Sequence, residues 1–563
     1  SLDANTTGAS NVAIGWNSLT TNTTASNNTA VGQSALGLNT TGAQNTAVGT
    51  GAGSAITTAV NTVVMGYQAG DAITTGNNNV AIGTTALSAN TTGASNTALG
   101  HAALLANTTA TNNTAVGYGS LTGNTTGTAN VATGTSSLPA NTTGSYNTAV
   151  GFTAGHSNTT GAFNTMVGEQ AGYNNISGER NVFLGHYAGF VNTGSYNTFL
   201  GTNAGDANTT AANNVAVGYA ALSANTTGAE NVAVGREALV ANTTGAGNVA
   251  IGKDALDANT TASNNVAIGL QALTANTTGY SNTAVGKSAL GANTTGHRNS
   301  AFGKDSLDAN LTGYYNVAVG EASLGANTDG HSNTALGHEA LYNNTEGDEN
   351  VAVGNAALTT NTTAVSNTAV GTNALRLTST GNNNVAVGKS ALDVNTTGFE
   401  NTAVGSSAGV TNTTGYQNIT IGKDCVSSSA TVNGECTLGN ANINNLRCND
   451  TSISSLSDLR DKTNIVDIPL GLNFLNTVRP VSFDWDRRDG SQAGKKDFGF
   501  IAQELKVAAD ATVYADHMRL VCEENPDRLE ADPMKMFPIL VKALQELSAK
   551  NDALEARLTT LEG

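Results

Sequence analysis

The sequence predicts an all-β solenoid of 17-residue coils, followed by a small α+β domain that ends in a coiled-coil helix. Three observations carry this reading. A glycine that closes a short apolar segment recurs every 17 residues. Charged residues are sparse up to residue 456 and dense from 457 onward. The last segment places apolar residues at alternating steps of four and three.

The repeat comes first, because a missed internal repeat misassigns the whole fold. Its glycine falls at Gly15 and every 17 residues to Gly185, takes one step of 16 to Gly201, and resumes the 17-residue step to Gly439. That makes 26 units of the form N-T-A-V-G-x-x-A-L-x-A-N-T-T-G-x-x. Asn stands four before the glycine in 24 of the 26 units, with Thr62 and Glu435 in the other two. The two residues before the glycine are usually apolar, as in strands covered on both faces. The N-T-T-G segment supplies turn chemistry, with Asn bonding its own chain and Gly adopting positive φ. A unit of this length is too short for a helix pair or a leucine-rich repeat. One coil per unit, stacked at strand spacing, places identical residues in ladders, and the repeated Asn is expected to hydrogen-bond from coil to coil. At about 4.8 Å per coil the stack reaches roughly 125 Å.

A thin coil with an Ala and Val core buries little, since such residues contribute about 1–2 kcal/mol each. A repeat face is therefore expected to meet other copies of the chain. The small Ala is the position expected at the shared axis of a trimer. The NTAVG…ALxANTTG units of residues 1–440 resemble the head repeats of YadA-like trimeric adhesins. They are also similar to repeat arrays upstream of chaperone domains in phage tail-fibre proteins. That resemblance implies a trimeric left-handed parallel β-roll, although the unit here is somewhat longer than the usual YadA-type unit.

Residues 1–456 hold 10 Lys+Arg and 22 Asp+Glu, and residues 457–563 hold 14 and 19. This step divides the chain into a repetitive part at 1–440, a polar connector at 441–456 and a second domain at 457–563. Three blocks follow the connector in order. They are Ser457-Asp458-Leu459-Arg460-Asp461-Lys462, then Pro480-Val481-Ser482-Phe483-Asp484-Trp485, then Asp497 to Leu505 (DFGFIAQEL). An apolar stretch with Ile465, Ile468, Leu472, Leu475 and Val478 lies between the first two. Together the blocks resemble the intramolecular chaperone domain of endosialidases and other phage tail spikes and fibres, the S74 peptidase family. The resemblance implies a trimeric chaperone that cleaves its own chain just before the motif serine.

The chemistry is consistent with that implication. A serine hydroxyl needs a base, and Ser-Lys pairs serve where burial keeps the lysine neutral. Ser457 and Lys462 are five apart and meet if the segment turns. Ser457 would attack the Leu456 carbonyl with Lys462 as general base, acting once in cis, while Asp458 and Arg460 position the segment or pair with neighbours. Without its flanking blocks, S-D-L-R-D-K reads as an ordinary N-capped, charged helix start. In the last segment Leu540, Leu544, Leu547, Asn551, Leu554, Leu558 and Leu561 follow the period of a supercoil seam, so residues 538–563 are expected to form a trimeric coiled coil in which Asn551 sets register.

These features point to a homotrimeric attachment protein of a virion tail fibre, extracellular, partnered by other tail proteins and a host surface receptor or glycan. A cell-surface adhesin is the alternative location. A polysaccharide-degrading spike needs paired carboxylates, whereas Asp71, Glu169, Glu179 and Asp206 are scattered. A bacterial autotransporter would end in a membrane barrel, whereas this chain ends in a polar heptad segment. The net charge of −17 gives no basic footprint for nucleic acid. No run of 18 apolar residues suggests membrane insertion. No cofactor and no metal site is expected. The four cysteines, Cys425, Cys436, Cys448 and Cys522, fit no zinc spacing. Cys425 and Cys436 could pair across adjacent coils, but isolated thiols are expected. Tyr146, Phe163, Tyr196, Tyr280, Tyr315, Phe399 and Tyr416 are expected to cover neighbouring coils rather than to stack on sugars. His101, His156, His186, His297, His331 and His338 are expected at solvated turns. The many N-x-T triplets read as turn residues. The chain begins in mid-pattern at Ser1, so a fragment or processed form is expected.

Overall fold

The computed structural model describes residues 1–443, 447, 457–486, 493–523 and 529–563. The chain forms two compact units, residues 1–365 and 366–563. The first is a parallel β-solenoid with 21 three-residue strands, from Val12–Ile14 to Val351–Val353. The second carries five more such strands, Thr368–Val370 to Cys436–Leu438, and then the small C-terminal domain. Each strand is the segment just before the repeat glycine. Within each compact unit it pairs parallel with the next strand along, for example Val12↔Thr29, Ala13↔Ala30 and Ile14↔Val31. The one short unit keeps the same pairing, with Val182↔Thr198 and Phe183↔Phe199. The missing residue is absorbed in the turn, where Asn192 Nδ2 donates to Gly194 O two residues on at 2.8 Å.

The predicted asparagine ladder is present. The backbone N–H of Asn45 donates to Asn28 Oδ1 at 2.9 Å, and Asn45 Nδ2 donates to Ala59 O at 2.8 Å. Each side chain thus satisfies two buried backbone groups of the next coil, as Asn28 does for Gly42 O and Asn45 N, which a dry interior requires. At Thr62 the backbone N–H donates to Asn45 Oδ1 at 3.0 Å, which continues the ladder by one bond. Glu435 ends it: its N–H donates to Asn418 Oδ1, and its carboxylate turns back to accept from Ser428 N and Thr437 Oγ. An acceptor-only group suits this strand, beyond which no further coil strand among the described residues offers a carbonyl to an amide N–H.

The N-T-T-G segment differs from its expected role. Its asparagine forms a second buried ladder, with Asn39 Nδ2 donating to Asn22 Oδ1 at 3.0 Å and to Gly42 O at 2.9 Å. Its glycine has no positive φ. A Cβ on Gly42 would lie 2.2 Å from Ala59 O and 2.6 Å from Asn39 Oδ1, so close packing, not backbone freedom, demands glycine there. Positive φ occurs instead at Ser34, Leu36 and Gln44 of the same repeat pattern, and at the strand-ending glycine. Gly49, at φ 133°, sits where a Cβ would meet Gly66 O at 2.4 Å.

The strand alanine also falls elsewhere than sequence alone suggests. Ala30, Ala47 and their equivalents are fully buried within their own coil, together with Leu36-type residues and both asparagines. The left-handed turns fold the A-L segment back over the strand, so the coil closes on its alanine, and no interchain axis can lie there. The residue before the glycine faces outward instead. Val48, Leu99, Ile251 and Leu336 are exposed, so one side of the strand does meet solvent in the single chain.

Where the A-L leucine is replaced by glycine, bulk comes from another position. Cβ atoms built on Gly53 and Gly70 would strike Ile56 Cδ1 and Ile73 Cδ1 at 2.8 and 2.7 Å, so these isoleucines, which replace ladder asparagines, fill the leucine space. The exchange leaves Asn39 Oδ1 without a donor below Ile56. At Gly155, Gly172, Gly189 and Gly205 the space is taken by Met166, Phe183 and Phe199 from the strand centre. Total core volume is thus kept while its source moves, the kind of swap that interiors tolerate.

In the C-terminal domain the second and third sequence blocks become one hairpin and its following helix. Val481–Asp484 pairs antiparallel with Lys496–Gly499, in the register Phe483↔Asp497. The helices are α1 (Leu472–Leu475), α2 (Ala502–Asp510), α3 (Ala515–Met518) and α4 (Phe537–Glu562). Phe474, Leu505, Ala509, Met518, Leu520, Met536 and Ile539 make the core. Ile465 and Val466 stay exposed. Glu546 of α4 accepts a hydrogen bond from Leu472 N at 2.9 Å and so ties the long helix to α1. Ile539 and Ala543 face the core. The leucines at 540, 544, 547, 554, 558 and 561 face solvent, 42–84% exposed.

Candidate active site

Ser457 begins a tight reversal of the chain. Asp458 caps a one-turn 3-10 helix, Leu459–Asp461, by accepting the Arg460 N–H at 2.9 Å. This is normal N-cap chemistry for aspartate. The turn closes at Lys462, whose N–H donates to Leu459 O. The reversal returns Lys462 to the serine. Lys462 Nζ lies 2.5 Å from Ser457 Oγ and 3.5 Å from Ser457 O. The two side chains that sequence places five apart therefore meet.

Asp458 and Arg460 pair with each other. Arg460 Nε lies 3.0 and 3.1 Å from the two carboxylate oxygens, and Nη2 lies 2.5 Å from Oδ2. This is a bidentate fork, the strong form of such a pair. The Arg460 guanidinium holds the Asp458 carboxyl below its ordinary range, helped by the Arg460 backbone N–H. The fork itself was not legible, because the motif spacing names no partner for either charge.

Ser457 and Lys462 are both exposed. The burial that a lysine base needs is thus not supplied by the described residues of this single chain. Leu456, the residue expected to donate the scissile carbonyl, and Cys448 lie outside the described residues. Cys425, Cys436 and Cys522 are free thiols, and Cys425 is buried with its Sγ 3.2 Å from Thr437 O. No helix among the described residues is long and apolar enough to cross a membrane.

The aromatic residues of the solenoid stack on one another from coil to coil. Tyr146 lies on Phe163 at 5.0 Å, and Phe399 on Tyr416 at 4.7 Å. Tyr280, His297, Tyr314 and His331 form a four-ring column with spacings of 4.8, 5.3 and 4.7 Å. Arg180 sits between Phe163 and Tyr196. Ring faces inside such columns are already covered, which leaves edges for any ligand. Histidines 101, 156, 297 and 331 are members of these stacks rather than simply solvated.

Residues 457–514 match the family model described as chaperone of endosialidase, peptidase S74. No curated protein and no solved structure matches the chain. The match starts at Ser457 and takes in the reversal, the hairpin and α2, so this part of the chain, not the solenoid before it, is similar to the endosialidase chaperone family.

Proposed function

We propose that this chain is a homotrimeric fibrous attachment protein of a virion tail, whose C-terminal domain assembles the trimer and is then released by self-cleavage between Leu456 and Ser457. One observation carries the reading: the single chain leaves two long apolar faces uncovered. The position before the repeat glycine is apolar in 25 of 26 units, Thr133 being the exception. Yet it faces outward. The position after the glycine is also outward, and it varies freely through Trp16, Gln33, Tyr67, His101, Glu169 and Lys253. An outward position held apolar while its neighbour varies is the signature of a covered surface. The leucine face of α4 is the second, with the spacing of a multi-stranded seam.

Copies of this chain are the occupants that fit both faces. Parallel copies present the same strand column at the same spacing, and three α4 helices close one leucine seam. Near-identical coils pair out of step at little local cost, so a helical clamp that aligns the chains first has a clear use. Once the clamp is gone, an unfolded trimer cannot readily realign, and stability becomes a matter of unfolding rate.

Cleavage proceeds in two steps. Ser457 Oγ bonds to the Leu456 carbonyl carbon as Lys462 takes the hydroxyl proton. The Leu456–Ser457 C–N bond breaks as the Ser457 nitrogen takes the proton back from Lys462, which leaves the two parts joined through the Ser457 ester. Water then hydrolyses the ester and leaves a Leu456 carboxylate and a free Ser457 hydroxyl. Lys462 can act as a base only when desolvated, so cover from neighbouring copies would delay cutting until assembly is complete.

Attachment is separated from polysaccharide degradation by incubating the cleaved solenoid with purified host surface glycans. Binding without release of oligosaccharide is expected. Release of oligosaccharide would overturn the attachment reading in favour of a depolymerising spike.

A further inference from the structure

Six residues, Ser457 to Lys462, hold four charges: Asp458, Arg460, Asp461 and Lys462. A base must be neutral before it takes a proton, and a carboxylate beside an ammonium holds it charged. The Lys462 ammonium lies 3.5 Å from the Ser457 carbonyl oxygen, and that carbonyl is bonded to the Asp458 nitrogen. Asp458 thus adjoins the carbonyl that Lys462 approaches, and a free carboxylate on it would add negative charge close to the lysine. In the structure it is not free. Arg460 engages both its oxygens, and the Arg460 N–H caps one of them. The other carboxylate of the turn, Asp461, makes no ion pair with Lys462, and among the described residues no ion pair links Lys462 to another element.

We propose that Arg460 is a positioning residue that sequesters the Asp458 carboxylate, so that Lys462 is left with Ser457 and can give up its proton. The inference rests on the self-cleavage reading. It explains why an arginine suits the site: its planar fork binds both oxygens at once and does not lose its charge, whereas a lysine offers a single point of contact. It also gives Asp458 a reason to be an acid. The residue must cap the turn, and a capping carboxylate next to a lysine base needs its charge taken up elsewhere.

The test is the rate of appearance of the C-terminal fragment from the full chain, followed between about pH 6 and about pH 10 on denaturing gels. In Arg460→Gln the rising limb of the profile is expected to move up by about one pH unit. Cleavage would then be about tenfold slower near neutrality, with the alkaline plateau nearly kept. The double variant D458N/R460Q retains a capping side chain and removes the stray charge, so its limb should return to the wild-type position. Arg460→Lys should fall between. A lowered plateau with an unmoved limb in R460Q, or no recovery in the double variant, overturns the sequestering role and leaves self-cleavage standing. A wild-type chain that yields no fragment at any pH overturns self-cleavage itself, and this inference with it.

Discussion

Replacing Ser457 by alanine is expected to abolish release of the fragment 457–563, a piece of 107 residues. Ser457 Oγ is the group that Lys462 Nζ reaches, at 2.5 Å. Loss of either member of a nucleophile–base pair that works as a unit costs about 10⁴- to 10⁶-fold in rate. No band should therefore appear in the time over which wild type is fully cut. Lys462→Met should do the same. Both side chains are exposed and lie outside the core of Phe474, Leu505 and Ile539, so neither change should unfold the domain. Unaltered far-ultraviolet circular dichroism beside a missing fragment is the expected pair of results. Wild-type cleavage by Ser457→Ala would remove Ser457 from the mechanism.

Phe183→Ala is expected to open the solenoid locally. The ring is fully buried and stacks on Phe199 at 5.4 Å. Its neighbours cannot collapse into the gap, because the positions that carry leucine in other units are Gly172 and Gly189 here. Cβ atoms on them would lie 2.8 and 2.7 Å from the ring. A phenylalanine lost from such a site costs about 3–5 kcal/mol. In a repeat array this loss acts on the nearest coils rather than on one global transition. Hydrogen exchange of the Val182–Leu184 amides should therefore quicken by about a hundredfold or more. The double variant F183A/G189L restores the common Ala-plus-Leu pair at the position where the Phe183 ring alone takes the leucine space. It should recover protection, since leucines at equivalent positions already hold φ near 50°. An unprotected double variant, or a single variant with native exchange, would show that the core is not shared in this way.

These two predictions mark where sequence was readable and where it was not. The strand before each glycine and the first asparagine ladder follow from period alone, since residues 17 apart must stack in a one-coil unit. The second ladder was hidden because N-T-T-G also reads as a turn. The exchange of Leu for Phe183 or Ile56 was hidden because two positions far apart in the unit fill one interior, and no periodicity says so. The alanine was misplaced for the same reason: its burial depends on the A-L segment folding back through left-handed turns at Ser34- and Leu36-type residues. At the site, the five-residue spacing lets one turn bring Lys462 Nζ to Ser457 Oγ. Their exposure was not legible, because cover over a turn comes from whatever packs on it from outside.

Copies of this chain are expected to cover the outward strand column and the α4 seam together. The most direct test is the solution mass of the intact Ser457→Ala chain by light scattering after size exclusion. Three times the chain mass of 56.5 kDa is expected. A stable, folded particle of a single chain mass would contradict the account.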